Sequence, residues 1–187
     1  MEAANMYFDK PGKDNTDQTL TLAAQRAKDL SINEVVVAST TGFTAYKAIE
    51  IFDGYRITAV TYHSGFKEPF KNTMSADVKA DLQRKDITVV AASHALSGVE
   101  RSIAKKYSGV YPVLIIADTL RLFGQGIKVA VEVAVMAADA GALTGNDIIA
   151  IGGSGHGADA ALVLKPAHQN NFFDMRIREI ICKPRKF

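Results

Sequence analysis

Glu34-Val35-Val36-Val37-Ala38, followed by Ser39-Thr40-Thr41-Gly42 and then by Thr44 to Phe52, is the stretch that decides the fold. Its first five residues, introduced by Asn33, form a short β-branched apolar run of the kind found in a sheet covered on both faces. A polar turn comes next, and Ala45, Ala48, Ile49 and Phe52 then share one face at helical spacing. The unit is strand, turn, helix. It recurs as Ile57 to Tyr62, the loop His63-Ser64-Gly65-Phe66, and a helix after Ser75 through Val78 and Leu82. A third copy runs from Ile87 to Ala91, through Ser93 to Gly98, into a helix with Val99, Ile103 and Tyr107. Alternation of this kind predicts a doubly wound parallel sheet.

On the amino-terminal side, Asn15-Thr16-Asp17 supplies cap residues for a first helix with Leu20, Ala23, Ala24, Ala27 and Leu30 in register. On the carboxyl side the rhythm breaks. Pro112 to Phe123 reads as helix, and a second helix follows Gly126 and stops near Gly141. Leu143 to Asp147 is a turn that leads to a fourth strand, Ile148 to Ile151. The run Gly152-Gly153-Ser154-Gly155-His156-Gly157-Ala158-Asp159 precedes Ala161 to Leu164, and Met175 to Cys182 closes the chain. No repeat, linker or low-complexity tract interrupts residues 1–187, so one domain is expected.

Lys plus Arg outnumber Asp plus Glu by only 22 to 20, which leaves no extended field for a polyanion and argues against nucleic acid. Cys182 is the only cysteine, so an internal disulfide is excluded, and a buried thiol in a reducing, cytoplasmic compartment is expected. The amino terminus has an early acid, Glu2, and no apolar h-region. The longest apolar stretch, Ile127 to Leu143, is broken by Lys128, Glu132 and Asp139, which suits a buried amphipathic helix better than a membrane span.

Three pieces together resemble the C-terminal α/β domain of pyruvate kinase: VVVASTTGFTA from Val35, ITAVTYHSG from Ile57, and GALTGNDIIAIGGSGHGADAALVL from Gly141. The chain is similar over nearly its whole length to small stand-alone proteins of this fold found in archaea. The shared pieces are Asn15-Thr16, Ser39 to Ala45, Gly157-Ala158-Asp159 and Lys183-Pro184-Arg185. The resemblance implies three layers, α/β/α, around a mixed five-stranded sheet in the order 3-2-1-4-5 with strand 5 antiparallel. It also implies FMN, which such proteins carry. Nothing in the sequence resembles the catalytic barrel of pyruvate kinase, so the kinase reaction is expected to be absent.

In open α/β sheets, ligands settle beyond the carboxyl ends of the strands where the strand order reverses. With the implied order that crevice lies between strands one and four, flanked by Ser39 to Gly42 and by Gly152 to Gly157. A phosphate needs free amides, hydroxyl donors and close backbone approach, which a polar turn at a helix start supplies. Pyruvate kinase grips a phosphate of its sugar bisphosphate activator with the equivalent loop, which points to Ser39, Thr40, Thr41, Gly42 and Thr44. The same residues would also serve simply to cap the second helix. Gly153, Ser154, Gly155, His156 and Gly157 approach a dinucleotide fingerprint but place the third glycine one residue early; they either lie against a ligand or form a sharp turn. In the loop Ser64-Gly65-Phe66, Phe66 is the aromatic expected to wall a flavin. His63, His94 and His156 each follow a strand, and hydrogen bonding or plain surface exposure is expected of them rather than a metal site.

Two functions remain open at this point. One is a ligand-binding or sensory domain that takes a phosphorylated small molecule, FMN foremost, with a homo-oligomer allowed. The other is an FMN-dependent oxidoreductase. No residue identifies itself as a catalytic acid, base or nucleophile.

Overall fold

The computed structural model describes residues 6–187; the early acid Glu2 lies outside the described residues. In chain order the strands are β1 (Met6–Phe8), β2 (Glu34–Ala38), β3 (Arg56–Tyr62), β4 (Thr88–Ala92), β5 (Ile148–Gly152), β6 (Ala160–Lys165) and β7 (Arg176–Pro184). The helices are α1 (Thr16–Asp29), α2 (Phe43–Ile51), α3 (Ala76–Arg84), α4 (Glu100–Tyr107), α5 (Pro112–Arg121) and α6 (Gln125–Asp139). Short 3-10 turns precede α1 and β7.

The strands form one sheet in the order β1-β7-β6-β5-β2-β3-β4. β2, β3, β4 and β5 are parallel, and β6 runs antiparallel to β5. These five stand in the expected order, but the sheet has seven strands rather than five. β7 adds antiparallel to β6, and β1 adds parallel to β7. The physical reason is burial: Ala160 to Leu164 of β6 are all buried, as only a strand with neighbours on both sides can be. The register of β6 against β7 shifts at two places, so β7 presents no regular alternation to be read from sequence.

Alternation in β2 divides the core. Val35 and Val37 pack with Leu20, Ala23 and Ala27 of α1, Ala45 and Ala48 of α2, and Leu82 of α3. Val36 faces the other way, against Ala117 of α5 and Ile127, Ala130, Ala134 and Ala137 of α6. Helices therefore cover both faces, giving the three layers. Fully burying each Val or Leu contributes about 1.5–3 kcal/mol, so both stripes are needed to hold the sheet between them. Cys182 is buried in β7, and burial raises its thiol to about 12, which leaves it inert. No helix among the described residues is long and apolar enough to cross a membrane.

Candidate functional site

α2 and α3 return the chain on one face of the sheet, whereas α6 delivers it to β5 across the other. Because β2 and β5 are hydrogen-bonded neighbours, the loops at their carboxyl ends diverge there. A crevice of about 520 Å³ opens at this point, roofed by α6 and extending over the ends of β3 and β4.

The β2–α2 loop is organised by its first residue. Ser39 is buried and its Oγ accepts from Ala45 N at 3.2 Å, so Ser39 caps the start of α2. Gly42 is buried with φ at +102°, and a methyl there would lie 2.6 Å from Val78 of α3, so it serves the turn and the packing and lies outside the crevice wall. Thr44 is buried as well, although it reaches the wall. Thr40 and Thr41 line the crevice, with the Thr40 carbonyl fixed by Thr61 Oγ1 at 2.8 Å. Thr41 is exposed beside the first amides of α2, which precede any intrahelical acceptor. The sequence offered capping and phosphate gripping as alternatives; Ser39 does the first, and Thr41 stands free for the second.

Gly153, Gly155, His156 and Gly157 also line the crevice. Their run closes the β5–β6 hairpin instead of opening a helix, which is why it is no dinucleotide fingerprint. Gly157 is required by contact, because a methyl there would lie 2.4 Å from Thr16 Oγ1 and 2.8 Å from Lys13 Cα. Gly155 has φ at +97° and open space around it. Ser154 stands behind the wall: its N donates to Asp159 Oδ2 at 3.2 Å, as does Gly12 N at 2.9 Å. Burial nevertheless pushes the Asp159 carboxyl up, against those two bonds. Thr16 Oγ1 donates to Lys13 O at 2.6 Å and accepts from Ala158 N at 3.0 Å, which ties the entry of α1 to this hairpin. Asn15 does not cap α1: its backbone is helical, and its side chain donates to Lys10 O.

At the other end the loop after β3 brings Phe66 back over the crevice. Ser64 and Gly65 are exposed and do not touch the cavity, but they make the turn that returns it: Gly65 has φ at +84° and its N donates to Lys71 O at 2.9 Å. Phe66 stacks on His94, ring centroids 4.6 Å apart and planes inclined by 29°, and packs on Tyr62 at 4.3 Å. The three rings make an aromatic wall. His63 adds an edge contact to Phe66 at 5.6 Å and stands 6.1 Å from His94, while His156 lies across the crevice on the β5–β6 hairpin. Burial lowers the pKa of His94, partly offset by Glu132, which favours the neutral ring.

Five cationic side chains line the cavity, Lys13, Lys67, Arg101, Arg121 and Lys128, against one carboxylate, Glu132. The near balance of 22 and 20 over the whole chain is thus locally broken here. Lys13 lies over the Phe43 ring at 4.3 Å and Arg101 over Phe66 at 5.9 Å. Sequence reasoning did not place these cations, because Lys13, Lys67 and Arg101 sit in segments that carry no motif. For Lys128 and Glu132 a signal did exist, two opposite charges four residues apart inside an apolar helix. In sequence they only mark the helix as amphipathic rather than membrane-spanning, and in the fold both are buried.

A three-layer α/β fold with its crevice at the strand-order reversal defines a doubly wound α/β domain. The model of the family "Pyruvate kinase, alpha/beta domain" matches residues 17–164, and the chain belongs to that family. Among solved structures it is similar to the pyruvate kinase of Cryptosporidium parvum in complex with ADP, at 15% identity and a TM-score of 0.39. That match covers 93% of this chain and 25% of the other, so the chain spans about a quarter of that protein's length.

Proposed function

We propose that this chain is an FMN-carrying member of the family, of the stand-alone archaeal kind. On this reading it binds a phosphorylated small molecule with a planar ring and acts as a ligand-binding or sensory domain. One observation carries the reading: a single crevice of about 520 Å³ holds a stacked aromatic wall, five cations and the start of α2. The volume falls in the range of about 300–1,000 Å³ typical of small-molecule sites. The residues present fit FMN. Lys13, Thr41 and the α2 amides would hold the phosphate, and Phe66, Tyr62 and His94 would lie against the ring. When bound, the flavin supplies electron-transfer chemistry, while the protein supplies placement and access.

The experiment is equilibrium titration of the apoprotein with FMN and with riboflavin. Tighter binding of FMN is expected, and equal affinity would remove the phosphate from the argument. The chain is further expected to transfer no phosphate from phosphoenolpyruvate to ADP, and turnover above a heat-treated control would contradict this reading. The alternative, an FMN-dependent oxidoreductase, draws on His94, an imidazole whose neutral form is favoured by burial and which is stacked within the crevice wall. Reduction of bound flavin by NADH or NADPH, with turnover on an acceptor, would favour it over the sensory role.

A further inference from the structure

Lys128 and Glu132 are four residues apart on α6, and both line the crevice although they are only 3% and 2% exposed. Glu132 is fully engaged: Oε1 accepts from Leu96 N at 3.0 Å, and Oε2 accepts from Lys128 Nζ. Lys128 is not. An ammonium has three N–H donors, and Glu132 is its one hydrogen-bond acceptor among the described residues. Two buried donors therefore remain uncommitted at the wall of a cavity.

As a device for stability the pair is poor, because stripping two charges of water offsets their attraction, and apolar residues of similar volume would serve the helix as well. As part of a binding wall it is coherent. Glu132 opposes the burial that lowers the Lys128 pKa, and anchors the ammonium to the loop that carries His94. The bond to Leu96 N and the proximity to His94 tie the pair to the aromatic end of the crevice.

We propose that Lys128, held by Glu132, is a specificity-determining residue whose free donors read a carbonyl or imine acceptor on the edge of the ligand's ring. The site then takes a phosphorylated heterocycle bearing such an acceptor, not any phosphate ester. This rests on the reading of the crevice as an FMN site, since the isoalloxazine edge carries acceptors of that kind.

The test compares wild-type protein with Lys128→Met and with Lys128→Met/Glu132→Gln, measuring FMN and riboflavin affinity by flavin fluorescence and thermal stability alongside. The single variant leaves a buried carboxylate unpaired and is open to unfolding. The double variant removes both charges and keeps an acceptor for Leu96 N. The double variant is expected to melt near wild-type while FMN and riboflavin both weaken about tenfold or more, since both share the ring. Unchanged affinity for both flavins would overturn the role of Lys128 and leave the FMN site standing. A loss confined to FMN would put Lys128 at the phosphate and overturn it too. Wild-type protein that binds neither flavin would overturn the reading of the site, and this inference with it.

Discussion

Two hydroxyl residues of one loop, Ser39 and Thr41, have separate tasks. Ser39 is buried and spends its oxygen on Ala45 N, whereas Thr41 is exposed on the crevice wall with its hydroxyl turned to no protein partner among the described residues. Losing the cap costs about 1 kcal/mol. For a chain of this size that corresponds to about 2–4 °C in Tm. A hydrogen bond to a charged group contributes about 1.5–3 kcal/mol, or roughly a decade or more in affinity. Ser39→Ala is thus expected to lower the melting temperature with FMN affinity little changed. Thr41→Ala should do the opposite, and should leave riboflavin binding intact. Calorimetry and flavin titration of the two variants check this; if Thr41→Ala lowers only Tm, the loop is a cap and the phosphate lies elsewhere.

At the scale of elements, α1 is tied to β7 by a two-pronged ion pair. Arg26 donates from Nε and Nη2 to the two carboxylate oxygens of Glu179, each at 2.7 Å. The bond from Arg26 holds the Glu179 carboxyl below its ordinary value of 4.5. Between the folded and unfolded values the unfolded chain binds the extra proton, so this contribution is present above about pH 4.5 and is lost as pH falls below it. Both groups are partly solvated, which keeps the effect small and sensitive to salt. Arg26→Met is expected to flatten the acid limb of stability below pH 4.5, most clearly at low ionic strength. Urea unfolding at pH 3.5 and pH 7 measures it; an unchanged acid limb would mean that the pair adds nothing to how α1 holds β7. α6 is set against the sheet by close backbone approach. A methyl on Gly152 would lie 2.1 Å from Gly126 O, and one on Gly126 would lie 2.4 Å from Asp159 Oδ1. That approach brings the helix near enough for Lys128 and Glu132 to roof the crevice.

Across the whole molecule, β1 and β7 extend the sheet with residues that lie before and after the family match, which spans 17–164. Neither strand contributes a residue to the crevice lining, and they matter for another reason. Without β7, the buried run Ala160 to Leu164 would become an open edge with apolar side chains on both faces, a template for pairing with other chains. Removing residues 166–187 is therefore expected to give aggregated protein, although every residue lining the crevice is retained. Sedimentation or gel filtration of the truncated chain decides it; a monodisperse, flavin-binding product would show that β6 tolerates exposure.

The strand, turn and helix alternation from Glu34 to Tyr107 was legible because it is local: β-branched runs, Ser/Thr turns and helical spacing each act within a few residues. The position of the crevice was legible only through the family resemblance, which implied the strand order that makes β2 and β5 neighbours. The two outer strands were not legible, since β1 is three residues long and β7 pairs through shifts in register that blur its alternation. Nor were the cations of the crevice wall. Phe66 was legible in its loop, but Lys13, Lys67, Arg101 and Lys128 come from segments far apart in the chain, and only packing brings these four side chains to one cavity. Sequence alone determined the inner strands and the loops that follow them, through periodicity and turn chemistry, and resemblance to the family implied their order. Tertiary structure alone decided which hydroxyl caps and which faces the crevice, and which charges are buried, because burial and partners depend on contacts between residues distant in sequence.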